Sequence, residues 1–355
     1  MANRDLVTVV DTDGLDRYSS AVQSIVNDAV DEFLRAKHPG VPRTLYHYTL
    51  ADVPASIART SELWGSHYED MNDAEEVVHL ENRAREFHAD TLARSGPRDG
   101  VVHLDTEDEA LDSALWSTFN LRRRDTPVAP YLISLSTLDD DIQQWIAYAD
   151  GARGVCIRVA MEDVFPLLTS RARRGLNGST VQILPVLYDD DEKRQLHEIV
   201  IQRCLQCFRV AYLANSSEPK RVGLMAATGA VIQAALSYYG SMCKHRGFRS
   251  EAEWRIVVQG PSQLPAAETG ACGIRFTLVG GRRRMMFGIN RAAIQGCQPG
   301  PLCDPGPLLE SYADGTRLPE LPRSTIPYRG PRVGPVEGPG GVGMAPPPPE
   351  RRPIG

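Results

Sequence analysis

The sequence predicts an α+β fold, and three observations lead there. Amphipathic helical stretches and short β-branched or aromatic runs are interleaved irregularly, without the strict alternation of a doubly wound sheet. No Gly-x-Gly-x-x-Gly after a strand, no phosphate loop and no Gly-x-Ser-x-Gly elbow occurs, which leaves Rossmann, Walker and α/β-hydrolase chemistry without support. The composition of the 355-residue chain, 42% hydrophobic and 24% charged, is that of a globular protein able to bury a sizeable core.

The elements follow in order. Residues 14–37 place Val22, Ile25, Val26, Ala29, Val30, Phe33 and Leu34 on one helical face, and His38-Pro39-Gly40 stops the helix. TLYHYT (44–49) reads as a strand and 51–60 as a short helix. ELWGSHYED is strand or loop, and Asn72 with Glu75 opens a long acidic helix to about Arg94. PYLISLST (130–137), GVCIRVA (154–160) and VQILPVLY (181–188) read as strands. TLDDDIQQWIAYAD between the first two is a helix with Ile142, Trp145, Ile146 and Ala149 on one face. Two helices fill about 191–215 and 222–243, then EAEWRIVV, GIRFTLV and RRRMMFGI supply strands.

Three regions result: an N-terminal helical segment (1–43), an α+β cleft-bearing domain (44–303) and a Pro/Gly-rich tail (304–355). The tail offers few apolar side chains to bury and is expected to be disordered, partly polyproline II. The uncharged stretch 222–240 is rich in Ala and Gly and reads as a buried helix rather than a membrane span. The N-terminus lacks a secretory h-region, so a soluble cytoplasmic protein with no membrane partner is expected. Seven irregularly spaced cysteines argue against a disulfide framework, and Cys204-x-x-Cys207 alone is too few ligands for zinc. A net charge of −6 disfavours a protein built to coat nucleic acid, while leaving local basic patches open.

Candidate chemistry lies on strand faces, because side chains alternate. His47 shares a face with Leu45 and Thr49. Ser134 and Ser136 share one opposite Ile133 and Leu135. Glu251, Glu253 and Arg255 share one opposite Trp254 and Ile256. A sheet with one apolar and one cleft-lining face would gather a His, two hydroxyls and two carboxylates. Such a set suits cleavage of an N-glycosidic bond: a carboxylate on a ribose hydroxyl stabilises an oxocarbenium-like transition state, and a second one orients or deprotonates an acceptor. The plainer reading is a solvated sheet face on which both glutamates pair with Arg255 or Lys244.

Other clusters have their own pairs of readings. His67, Glu69, Asp70, Asp73, Glu75, Glu76 and His79 are a metal set or, more simply, helix capping and a solvated face. The arginine runs at 122–124 and 282–284 are phosphate contacts or solvated charge. Trp145 and Tyr148 are core or a stacking platform.

In order, LYHYT, LWGSHYEDMND, ISLSTLDDDIQQWIAYADGARGVCIRV, KHRGFRSEAEWRIV and a late IQGCQPGP resemble the large bacterial family catalogued as domain of unknown function 2971, over about residues 44–301. The sequence of His47, then Ser134-Leu135-Ser136, then Glu251-Ala252-Glu253 also resembles ADP-ribosyltransferases. That second resemblance implies a mostly antiparallel split sheet flanked by helices, with NAD as substrate in its cleft. Glu253 would be the catalytic carboxylate, Glu251 the acceptor-orienting one, and His47 a ribose contact. Ser134 and Ser136 would support the nicotinamide pocket, and Arg255 would meet the pyrophosphate. Tyr48, Trp145 and Tyr148 complete the expected cofactor side. The chain departs from that family's habit: His usually accompanies a Tyr on the second strand, and Ser-x-Ser an Arg on the first. The expected partners are a nucleotide-type small molecule and a macromolecular acceptor, as in a toxin or defence effector. The alternatives are a non-catalytic nucleotide- or protein-binding module and a metal-dependent nuclease using residues 69–79.

Overall fold

The computed structural model describes residues 14–38, 40–71, 128–164, 181–215, 217–264, 269–271, 274–304, 318–328 and 330. Helix α1 (Leu15–Lys37) leads into strand β1 (Thr44–Thr49), helix α2 (Val53–Thr60) and β2 (Glu62–His67). The predicted acidic helix after Asn72 and the arginines at 122–124 lie outside the described residues. Strand β3 (Val128–Ser136), helix α3 (Ile142–Tyr148), β4 (Val155–Ala160) and β5 (Val181–Pro185) follow. Then come α4 (Asp190–Ala214), α5 (Glu218–Gly240) and β6 (Glu253–Pro261). The chain continues through β7 (Thr269–Ala271), β8 (Ile274–Val279), β9 (Arg282–Gly288) and β10 (Ile294–Pro299).

These strands form a single ten-stranded sheet whose strand pairs are antiparallel. Strand β3 is its fork. One edge of β3 is taken along its whole length by β6, from Val128↔Pro261 to Ser136↔Glu253. The other edge is shared: β1 meets it at Tyr46↔Ser136, and β2 meets it at Ser66↔Leu132. A residue has only two ladder edges, so β1 and β2 must diverge from there. One arm runs β1-β4-β10, the other β2-β9-β8-β7. The fold is thus α+β with a curled antiparallel sheet and helices.

The curl encloses an apolar core. Leu45, Leu63, Tyr131, Ile133, Leu135, Ile157, Trp254, Ile256, Phe276, Met285 and Phe287 all point into it. Gly260 makes the closure possible: a Cβ there would sit 2.3 Å from the Phe276 ring. The opposite face of β3, β5 and β6 carries Leu132, Leu184 and Val257, and α1, α4 and α5 pack on it. Helix α1 buries Tyr18, Val22, Val26, Val30 and Leu34, a stripe at four-residue spacing. Helix α5 is long and apolar enough to span a membrane by composition. It lies in this helical layer instead, with Leu224, Ile232, Ala235, Leu236 and Tyr239 buried.

Part of the Pro/Gly-rich tail departs from its expected disorder. Residues 318–328 dock as an extended strap. Leu321 N–H donates to Cys297 O at 2.9 Å, and Cys297 N–H donates to Pro319 O at 2.8 Å. Ile326 and Tyr328 pack on a small cluster of Tyr48, Trp145, Ala149, Ala152 and Cys156. Composition missed this because the strap needs only a few anchors rather than a periodic apolar face.

Candidate functional site

The site is built where α5 hands over to β6. After α5 the chain bridges to Leu187, whose N–H donates to Met242 O at 2.7 Å, and reaches Lys244. A 3-10 turn (Arg246–Glu251) follows, then Ala252 in the left-handed region at φ 45°. The strand begins only at Glu253. Glu251 is therefore not a strand neighbour of Glu253, as strict alternation predicts. The kink at Ala252 brings its carboxylate back beside Glu253. The surrounding peptide is clamped: Ser136 Oγ donates to Glu251 O at 2.7 Å, Gln144 Nε2 to the same oxygen at 3.3 Å, and Glu253 N–H to Tyr188 Oη at 3.0 Å.

Two carboxylates face two cations. Arg255 Nε donates to Glu253 Oε1 at 2.7 Å and Nη2 to Oε2 at 3.0 Å, a bidentate fork. Lys244 Nζ donates to Glu253 Oε2 at 3.1 Å and to Glu251 Oε2 at 2.5 Å. Arg255 Nη1 also donates to Ser241 O. Arg255 is 0% exposed and Glu253 6%, so neither charge is solvated by bulk water and each depends on its partners. Burial alone would raise the Glu253 carboxyl. Arg255, Lys244 and the Ser134 hydroxyl outweigh it and pull its pKa down to about 2.

The network ends in aromatic rings at the surface. Tyr148 Oη donates to Glu251 Oε1 at 2.6 Å, and Lys244 Nζ lies 4.8 Å from the centre of the Phe248 ring. Tyr148 and Phe248 are each 39% exposed, and the Glu251 side chain retains 12%. Burial, then the bond to Glu251, raises the Tyr148 hydroxyl, which stays protonated as a donor.

The sequence-predicted residues divide accordingly. Ser136 and Glu253 face one another across a rung, as do Ser134 and Arg255. Glu251 and Tyr148 join them at the rim. His47 does not. Tyr46 is the residue paired with Ser136, so Tyr46 shares the glutamates' face and His47 takes the opposite one, paired with core residue Ile157. Its Nδ1 donates to Ser134 O at 3.0 Å, and burial lowers its pKa. Arg255 is sealed by Glu253 and Ser241, out of reach of a pyrophosphate. Trp145 is 0% exposed, with its Nε1 donating to Asp140 Oδ1 at 2.9 Å and its ring edge-on to Tyr48, so no ring face is open to a ligand. Tyr48 fixes the turn into α3: its hydroxyl donates to Leu138 O at 2.9 Å and accepts Asp141 N–H at 3.1 Å.

Lys244 entered the sequence reading as a plain ion-pair partner, and it is the hub that joins both glutamates. Gln144, Tyr188 and Phe248 carried no signal of their own; only their placement reveals them. Of the acidic segment, Glu69 and Asp70 are engaged by Arg283, whose Nη2 donates to Glu69 Oε2 at 2.8 Å and Nε to Asp70 Oδ2 at 3.3 Å. Asp73, Glu75, Glu76 and His79 lie outside the described residues. Among the described residues no group of three or more His, Cys, Asp or Glu side chains is placed to hold a metal.

Fold and site together define an α+β domain with a curled antiparallel sheet, carrying a buried and charge-balanced carboxylate–cation network. Residues 144–256 match the model of the family described as protein of unknown function (DUF2971). The matched stretch contains Gln144, Tyr148, Lys244, Glu251, Glu253 and Arg255, and leaves out His47, Ser134 and Ser136. No curated protein and no solved structure gives a match.

Proposed function

We propose that this protein is a non-catalytic binding module that recognises a planar, nucleotide-type small molecule at the Tyr148–Glu251–Lys244–Phe248 rim. The observation that carries this reading is the closure of the ion network. Glu253 has both oxygens engaged by Arg255 and Lys244, is 6% exposed and has its pKa pulled down to about 2, so it is a weak proton acceptor and is shut off from a ribose hydroxyl. What the network leaves accessible is recognition chemistry: two aromatic rings for stacking and a carboxylate edge for amino or hydroxyl donors.

The test is thermal stabilisation with a panel of nucleotides, ADP-ribose and NAD. A ligand present at about 100 times its Kd should add about 2.7 kcal/mol, and Tyr148→Ala should abolish the shift without lowering the unliganded Tm. No shift across the panel, or a shift that survives Tyr148→Ala, defeats the proposal.

A second reading has one observation in its favour. Ser136 and Glu253, two residues that the ADP-ribosyltransferase resemblance links, are neighbours across a rung, which supports an enzyme acting on NAD. In that case Glu251, the carboxylate with an exposed edge, carries the chemistry. Nicotinamide release or label transfer from labelled NAD, abolished by Glu251→Gln, would replace the first reading with this one.

A further inference from the structure

The sheet face that α1, α4 and α5 cover at β3 and β6 continues onto β2, β9 and β8, where no described helix packs on it. Register fixes which side chains it presents. Ser66 pairs with Leu132 on the helix-covered face and with Arg284 on β9, so Trp64, Ser66, Arg284 and Met286 all lie on that face. Arg282 is two residues from Arg284 and so joins them, and Thr277 and Val279 continue the face on β8.

Two features of this face are unusual for surface sheet. Trp64 is 44% exposed, although an indole of this size buries well when it serves a core. Arg282 and Arg284 stand side by side, and among the described residues neither forms an ion pair with a carboxylate. Among the described residues, Arg284 Nη1 donates to the neutral Ser66 Oγ. The adjacent arginine of the same run behaves differently: Arg283 points to the other face and is neutralised by Glu69 and Asp70. Burial, and next the charge of Arg282, lower the Arg284 pKa, and the charge of Asp70 opposes them. An unneutralised pair in a chain of net charge −6 is a local feature, not a reflection of overall composition.

We propose that this face binds single-stranded nucleic acid, with a base stacked on Trp64 and the flanking phosphates on Arg284 and Arg282. The spacing suits it. Trp64 and Arg284 are diagonal neighbours across the β2–β9 ladder, at about 7–8 Å between backbones. That is within reach of one nucleotide's base and its phosphate. Stacking on an open sheet face beside arginines is tolerant of base identity, so the expected preference is for single strands over duplex rather than for a sequence. An acidic peptide would satisfy the arginines but leave the indole unused.

The test is fluorescence anisotropy of labelled short RNA and DNA single strands, with duplex and polyglutamate as competitors, using the full chain. Binding should weaken steeply between about 50 and 200 mM salt. Arg282→Ala with Arg284→Ala should reduce the log–log salt slope by about 1.4. Trp64→Ala should weaken binding about tenfold or more, with Trp64→Phe restoring most of it. Trp64 and Arg282 are exposed and Arg284 is half-buried, and unchanged melting temperatures will confirm folding. The RNA and DNA arms decide which strand is preferred. Absence of binding at low salt, polyglutamate competing as well as oligonucleotide, or indifference to Trp64→Ala would each overturn the assignment.

Discussion

Two acid–arginine clusters in this protein use the same chemistry in different surroundings. In the inner one, Arg255 and Lys244 hold Glu253 and Glu251 beneath the start of β6. In the outer one, Arg283 holds Glu69 and Asp70 between β9 and the end of β2. Distances are alike, at 2.7 Å for Arg255–Glu253 and 2.8 Å for Arg283–Glu69. Side-chain exposure is not: 0% and 5% for the inner pair against 22% and 42% for the outer. Water screens the outer charges and substitutes for a lost partner. The inner charges have only each other. Contact geometry therefore says little about what a salt bridge is worth, and burial says most of it.

The sharpest way to break this comparison is to remove one inner partner. Arg255→Met leaves Glu253 and Ser241 O without their main donor and should cost about 3–5 kcal/mol, read from the denaturant midpoint. Replacing both partners by Glu253→Met with Arg255→Met should recover much of that loss. A single variant as stable as the parent would mean that the cluster is hydrated.

Next in size is acid sensitivity. Glu253 has a folded pKa of about 2, depressed from 4.5, so its stabilisation is complete above the unfolded value and is lost as pH falls from about 5 toward 2. His67 near the outer cluster is held neutral, its pKa pushed down to about 4 by burial and then by Arg283. The unfolded chain binds that proton first, so this contribution fades earlier, as pH falls from 6.5 toward 4. His67→Asn should flatten the upper part of the stability–pH curve and leave the lower part in place. His197, also pushed down to about 4 by burial, keeps some slope in the upper window.

Smaller again is Ala252→Gly. The left-handed conformation penalises a Cβ, so glycine should stabilise by about 1 kcal/mol, less its greater freedom when unfolded. A loss of stability would mean that the kink is held by its neighbours rather than tolerated by them. Smallest is Arg283→Ala, expected to cost about 1 kcal/mol or less because water replaces much of what it provides. A loss matching that of Arg255→Met would erase the distinction between the clusters.

Much of this was readable from residue order. The strands at TLYHYT, ISLS, VCIRVA, WRIVV, IRFTL and RRRMMFG were marked by β-branched and aromatic side chains, and the amphipathic stripe of α1 by its spacing. Period-two alternation also separated Ser134 and Ser136 from Ile133 and Leu135 correctly. It could not assign His47, because which face of β1 looks toward Ser136 is set by register with β3, and register belongs to the pair of strands rather than to either one. Alternation also failed at Glu251, where Ala252 turns the backbone in a way that no residue type announces. Strand β10 escaped notice since IQGCQP is diluted by Gly, Gln and Pro. The plain reading of the two glutamates, as partners of Arg255 and Lys244, describes their contacts; how deeply those contacts are buried was not legible.

The strap has a practical consequence for anyone dividing this chain into pieces. Composition places the natural cut near Cys303, where proline and glycine take over. A fragment ended there would lose the backbone partners of Cys297 and uncover part of the Tyr48–Trp145 cluster, against which Ile326 and Tyr328 now pack. It would present a bare strand edge beside newly wetted apolar side chains, a combination that favours edge-to-edge aggregation. The boundary that respects the folded unit lies beyond Tyr328, inside what reads as tail.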